Sequence, residues 1–175
     1  MKKIKIGSLG LGRLGLRHSE NIAGKIENAE LTALCDLNRE MLEKTADRLN
    51  VKHRFTDFNE MIKLEELDAV VIVSPSALHT GQIASALDAG LHVFSEKPLG
   101  VTVGECRTAE KAVEKHQDKV FMLGFMRRFD ESYMYAKKKV AAGEIGKVVL
   151  FRSYSQDPEK FIDGAIAFAP HSGGQ

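Results

Sequence analysis

Two rhythms alternate along the chain: short apolar runs, and longer stretches in which apolar residues recur every three or four positions. Ile4-Lys5-Ile6 reads as a strand that ends in glycines, followed by a helix from about Arg13 to Ala23, the opening of a βαβ unit. Leu31 to Cys35 repeats the apolar run. Asn38 then stands where it can cap a helix whose apolar face is Leu42, Thr45, Ala46 and Leu49. A brief third strand is expected at His53 to Phe55. Ala69-Val70-Val71-Ile72-Val73 is apolar throughout and mostly β-branched, as suits a central parallel strand covered on both faces. Leu91 to Phe94 and Val120 to Leu123 supply two more strands. Between them, Thr102 and Glu105 form a capping box that opens a helix carrying Val103, Cys106, Ala109 and Val113. Six strands joined by crossovers predict an α/β fold, a doubly wound parallel sheet of Rossmann type, over residues 1–123.

After Phe125 the rhythm changes. A helix is expected from about Ser132 to Ala142, closing at Gly143, and Lys147 to Tyr154 reads as a strand with no partner after it in the chain. The residues beyond are rich in Pro, Gly, Ser and Asp. Residues 124–175 therefore read as the beginning of a second α/β domain that is incomplete in this chain. Lys137-Lys138-Lys139 reads as the solvated face of the preceding helix.

Composition narrows the classes. With 25 Lys and Arg against 24 Asp and Glu, the net charge is +1, which gives no electrostatic reason to expect nucleic acid or an anionic membrane as partner. The start Met1-Lys2-Lys3 is followed by an apolar stretch broken by Lys5 and by glycines, so neither a signal peptide nor a membrane span is expected, and the chain reads as cytoplasmic. Cys35 and Cys106 stand apart and outside any metal-ligand spacing; both are expected to be reduced and buried, and no metal is expected.

Three segments carry candidate chemistry. Gly10-Leu11-Gly12-Arg13-Leu14-Gly15 is a GxGxxG set between the first strand and the first helix. Gly10 would allow the tight turn, Gly12 the approach of a pyrophosphate, and Gly15 close packing of helix on strand. The free N–H groups at the helix start favour an anion there. Alone the pattern is also that of an ordinary Gly-rich turn. Asp36, about 20 residues further on at the end of the second strand, strengthens it, because a carboxylate there accepts from both ribose hydroxyls and repels a 2'-phosphate. NAD is thus favoured over NADP, with Arg39 close enough to weaken the preference. Ser74-Pro75-Ser76 follows the central strand at the sheet edge where ligands bind, with His79 in the first turn of the next helix. His79 reads equally as a cap or surface residue. Glu96-Lys97-Pro98 follows the next strand at the same edge. A Lys there can serve as general acid and base once desolvation or a neighbouring cation lowers its pKa, and a rigid or cis peptide before Pro98 can fix its direction. The competing reading is an ion pair on a loop before a turn proline.

Together, Gly10 to Gly15, Asp36, SPSALH at Ser74 to His79, EKP at Glu96 to Pro98 and GFMRRFD at Gly124 to Asp130 resemble the Gfo/Idh/MocA oxidoreductases, and the last block resembles their myo-inositol 2-dehydrogenase branch. The resemblance implies that Lys97 is the catalytic lysine, that the Lys97-Pro98 bond is cis, and that Glu96 faces the nicotinamide ribose. It also implies that Met126 and Arg127 border the nicotinamide and substrate pocket, where the planar donor fork of Arg127 can hold a polyol hydroxyl. Pairing of Arg127 with Asp130 is the alternative. The implied cofactor-binding set is Gly10, Gly12, Arg13, Leu14, Gly15, Asp36, Ser74, Pro75, His79, Glu96, Lys97, Met126 and Arg127, with NAD as cofactor and a small polyol or sugar as substrate. The implied second domain often builds a homo-oligomer.

Relatives share the base work between the EKP lysine and a histidine in a DxxxH motif soon after Ser-Gly-Gly. Here Ser172-Gly173-Gly174 is followed by Gln175, where the sequence ends, and His171 lacks an Asp partner. The expectation is a truncated NAD-dependent dehydrogenase of inositol or a related sugar alcohol, inactive alone in this 175-residue form. Two alternatives are a catalytically silent NAD(H)-binding module and a dehydrogenase of the same family for another sugar.

Overall fold

The computed structural model describes residues 2–154 together with residues 156, 159, 162, 166 and 169. Six strands form one parallel sheet: β1 (Ile4–Leu9), β2 (Ala29–Cys35), β3 (His53–Phe55), β4 (Ala69–Ile72), β5 (His92–Ser95) and β6 (Phe121–Leu123). Their order, β3-β2-β1-β4-β5-β6, reverses between β1 and β4, and that reversal opens a crevice at the carboxyl ends of the strands. The helices are α1 (Arg13–Gly24), α2 (Arg39–Leu49), α3 (Phe58–Met61), α4 (His79–Asp88) and α5 (Val103–Lys115), with α6 (Glu131–Ala141) after the sheet.

The two faces of the sheet bury separate cores. Ile22 of α1 and Leu42 and Ala46 of α2 pack with Leu34 and Val71, whereas Ile83, Ala86 and Leu87 of α4 pack with Val70, Ile72 and Val93. β4 thus sends alternate side chains into opposite cores, which is why its sequence is an unbroken apolar run. Local signals place the helix starts. Asn38 Oδ1 accepts from Met41 N at 3.0 Å, and the capping box of Thr102 and Glu105 forms at the start of α5.

Met1–Gly124 belong to one compact unit and Phe125–Pro170 to another. In the second, Asp130 caps α6 by accepting from Ser132 N and Tyr133 N, and Gly143 follows it with φ of 72°. The strand expected over 147–154 is not formed. Val149 and Phe151 are 89% and 73% exposed, and among the described residues no neighbouring strand offers the backbone partners that a strand requires. Ser172, Gly173, Gly174, Gln175 and His171 lie outside the described residues.

The α5 face is also narrower than its sequence suggests. Ala109 is buried, but Val103 is 71% exposed because it sits in the first turn, beyond the sheet's cover. Cys106, one turn before Ala109, is half-buried rather than buried, with its Sγ 3.6 Å from the Gly100 carbonyl. Among the described residues no helix is long and apolar enough to cross a membrane.

Candidate functional site

Four sequence candidates of the first unit stand just past strands, at the carboxyl edge of the sheet: Gly10 after β1, Asp36 after β2, Ser74 two residues past β4 and Glu96 after β5. The glycines divide their work. Gly10 has φ of +85°, and a Cβ there would lie 2.6 Å from the Val73 carbonyl oxygen. At Gly15 a Cβ would fall 1.8 Å from the Gly10 carbonyl oxygen, so helix and turn meet with no room for a side chain. A Cβ on Gly12 meets nothing within 4 Å. Gly12 is the N-cap of α1; no side chain caps the helix and its first turn holds no acid, which leaves the start of α1 suited to an anion. Arg13 and Leu14 are exposed beside it.

Asp36 does more than end a strand. Its Oδ2 accepts from Leu11 N at 2.6 Å and its Oδ1 from Asn38 N at 2.8 Å, tying the glycine turn to β2. Each carboxylate oxygen keeps lone-pair capacity for a further donor. Leu37, the next residue, is 86% exposed and offers an apolar surface beside the carboxylate. Just before it, Cys35 is buried, and burial first, then Asp36 and Asp57, push its thiol up to about 12. Burial and the raised pKa both disfavour the thiolate that a nucleophile or metal ligand requires. Among the described residues no cluster of three metal-ligating side chains occurs.

On the other side of the crevice, the Lys97-Pro98 peptide bond is cis. Lys97 is exposed, and among the described residues its amine makes no hydrogen bond or ion pair, so the loop ion pair with Glu96 is not formed. Glu96 is engaged elsewhere: Oε1 lies 3.0 Å from His18 Nε2, and Oε2 accepts from Lys97 N at 3.3 Å. Gly124 lets this carboxylate approach, since a Cβ there would stand 3.1 Å from it. The His18 ring also packs on Phe94, with centroids 5.5 Å apart. Sequence reasoning missed His18, although Gly15, His18, Ser19 and Ile22 form one helical row; a polar ring within an inward-facing row is a readable signal.

His79 is not a surface residue, and its side chain does not cap α4. It is 1% exposed and both ring nitrogens face backbone carbonyls, because it heads the inward row of Ile83, Ala86 and Leu87. The Ser74 hydroxyl donates to Gln82 Oε1, and Pro75 is exposed. Met126 and Arg127 belong to the second unit, both exposed. There Arg127 Nη1 pairs with Asp130 Oδ2 at 3.3 Å, and the guanidinium lies 5.7 Å from the centre of the Tyr133 ring.

Comparison with known proteins agrees with this geometry. Residues 4–125 match the model of the Gfo/Idh/MocA family, described as an oxidoreductase family with NAD-binding Rossmann fold. The scyllo-inositol 2-dehydrogenase (NAD(+)) of Bacillus subtilis is 34% identical over 98% of this chain and 49% of its own length. The myo-inositol 2-dehydrogenase of Thermotoga maritima is 34% identical over 89% of this chain and 46% of its own. Among solved structures, scyllo-inositol dehydrogenase from Lactobacillus casei with bound NAD(H) and scyllo-inositol superposes with a TM-score of 0.91. It is 47% identical and aligns with 96% of this chain and 49% of its own. The chain thus spans about half the length of the curated relatives it matches. With its family model, its strand order and its glycine turn in agreement, the chain belongs to the Gfo/Idh/MocA oxidoreductases, a family with the NAD-binding Rossmann fold.

Proposed function

We propose that this chain is the cofactor-binding half of an NAD-dependent dehydrogenase that oxidises a ring secondary alcohol of inositol or a related polyol. One observation carries the reading: a glycine turn open at Gly12, the Asp36 carboxylate and the unpaired Lys97 amine all stand at the same edge of one sheet. The open helix start takes the diphosphate, Asp36 the adenosine ribose, and Ser74, Pro75 and Glu96 line the path towards Lys97. Glu96, already anchored by His18, presents its carboxylate to the nicotinamide ribose. Bound NAD supplies the hydride acceptor at C4 of its nicotinamide. In its neutral amine form Lys97 takes the hydroxyl proton as hydride leaves the carbon for that acceptor and the carbon–oxygen single bond becomes a carbonyl. Residues from Phe125 onward begin the second domain, in which subunits associate, and the family resemblance assigns Met126 and Arg127 of that domain to substrate binding. The choice of inositol rests on the relatives' names and on the GFMRRFD block at Gly124 to Asp130.

The test is oxidation of myo-inositol and scyllo-inositol by the complete encoded protein with NAD, alongside Lys97→Ala. Turnover of a cyclic polyol, with at least a hundredfold loss of kcat in Lys97→Ala, is expected for a general base. Failure to oxidise any inositol, or wild-type kcat without the lysine, contradicts the reading.

A further inference from the structure

The turn that carries Lys97 runs from Glu96 to Gly100, outside any strand or helix, so its backbone groups need partners from elsewhere. α4 supplies two. His79 Nδ1 lies 2.7 Å from the Pro98 carbonyl oxygen, and the Thr80 hydroxyl donates to the Leu99 carbonyl at 3.3 Å. The other His79 nitrogen, Nε2, lies 2.9 Å from the Ser74 carbonyl oxygen. One ring therefore clamps the loop after β4 to the loop after β5, on either side of the crevice's far half. Carbonyl oxygens only accept, so a neutral ring donates to one of these two and a doubly protonated ring to both. In each state both nitrogens face protein, and at 1% exposure the ring offers no surface to a nucleotide.

Glu96 is fixed independently, through His18 and Gly124. Val101 N and Thr102 N donate to the Glu105 carboxylate at 2.6 and 3.1 Å, which anchors the end of the turn to α5. Lys97 thus sits between a fixed carboxylate and a fixed carbonyl, and its amine alone is left unengaged. We propose that His79 is a positioning residue rather than a cofactor contact: by holding the Pro98 carbonyl against the Ser74 carbonyl, it fixes the backbone from which the Lys97 amine reaches the reacting hydroxyl. This rests on the reading of Lys97 as the proton-handling residue.

The test compares His79→Phe, which fills the same space without a donor, with His79→Gln, whose amide reaches one carbonyl. Both are made in the complete protein and assayed with NAD and myo-inositol, with folded molecules counted by NADH titration. A misplaced catalytic group costs on the order of a hundredfold. His79→Phe is expected to lose about that in kcat, and His79→Gln roughly tenfold. KM for myo-inositol and the Kd for NADH stay within about threefold, because the glycine turn and Asp36 are untouched. A general loss of structure would instead lower the number of binding sites and leave kcat per site unchanged. Wild-type kcat in His79→Phe overturns the proposal; where that variant does not fold, wild-type kcat in His79→Gln does. A loss of NADH affinity matching the loss in kcat also overturns it, since the ring would then act on the cofactor. Lys97→Ala in parallel separates the layers: wild-type kcat there, or no turnover by the parent, fails the reading of Lys97 and this proposal with it. An inactive Lys97→Ala beside fully active His79 variants fails the positioning role alone.

Discussion

Replacing Gly15 with Ala places a methyl group 1.8 Å from the Gly10 carbonyl oxygen and 3.3 Å from Val73 Cβ. A carbon normally stands about 3.3 Å from such an oxygen, so α1 must retreat by roughly 1.5 Å. That movement separates the buried Ser19 hydroxyl from Ser8 Oγ, now 2.9 Å away, and lifts Ile22 from its core. Overpacking costs about 2 kcal/mol and the lost buried hydrogen bond a further ~2 kcal/mol. The melting temperature should fall by roughly 10 °C. Gly12→Ala is the matched control. Its Cβ meets nothing within 4 Å and its φ of −59° suits alanine, so stability changes by less than about 1 kcal/mol. Yet the methyl occupies the space through which a diphosphate approaches, and NADH affinity should fall at least about tenfold, or ~1.4 kcal/mol. The chain contains no Trp, so binding is read from the nicotinamide's own fluorescence and melting from calorimetry. Native melting in Gly15→Ala, or unchanged NADH affinity in Gly12→Ala, would refute the division of labour between these glycines.

Asp36→Ala removes the acceptor for Leu11 N and for Asn38 N as well as the ribose partner. It should lower stability by about 1–3 kcal/mol in calorimetry and NADH affinity by roughly ten- to a hundredfold, while NADPH affinity falls less because a repelling charge is gone. Thiol chemistry separates the cysteines. With its pKa pushed up to about 12, Cys35 is protonated at pH 8.5 and should stay unlabelled by iodoacetamide in the folded chain, while half-buried Cys106 reacts. Peptide mass spectrometry checks this, and labelling of Cys35 first would contradict its burial.

Much of the first unit was legible because its signals are local. Apolar runs mark strands buried on both faces, and Asn38 and Thr102 with Glu105 mark helix starts, since each interaction spans only a few residues. Strand ends moved by one to three residues, as when β1 extends to Leu9, because hydrogen-bonded neighbours set those limits. The glycine turn and Asp36 were readable from spacing alone. What escaped depends on distant partners. The His18–Glu96 contact joins residues 78 apart in sequence, and the His79 clamp joins α4 to a turn 19 residues away. Lys147 to Tyr154 shows the converse: β propensity alone predicts a strand, and without a neighbour among the described residues none forms.

Titration of this chain with NADH and NADPH, followed by nicotinamide fluorescence and by the rise in melting temperature, tests the reading of the sheet edge most directly. NADH should bind saturably and stabilise the chain by about 2.7 kcal/mol at a hundredfold excess over its Kd, with NADPH at least about tenfold weaker because Asp36 opposes a 2'-phosphate. No binding of either nucleotide, or tighter binding of NADPH, would contradict the account.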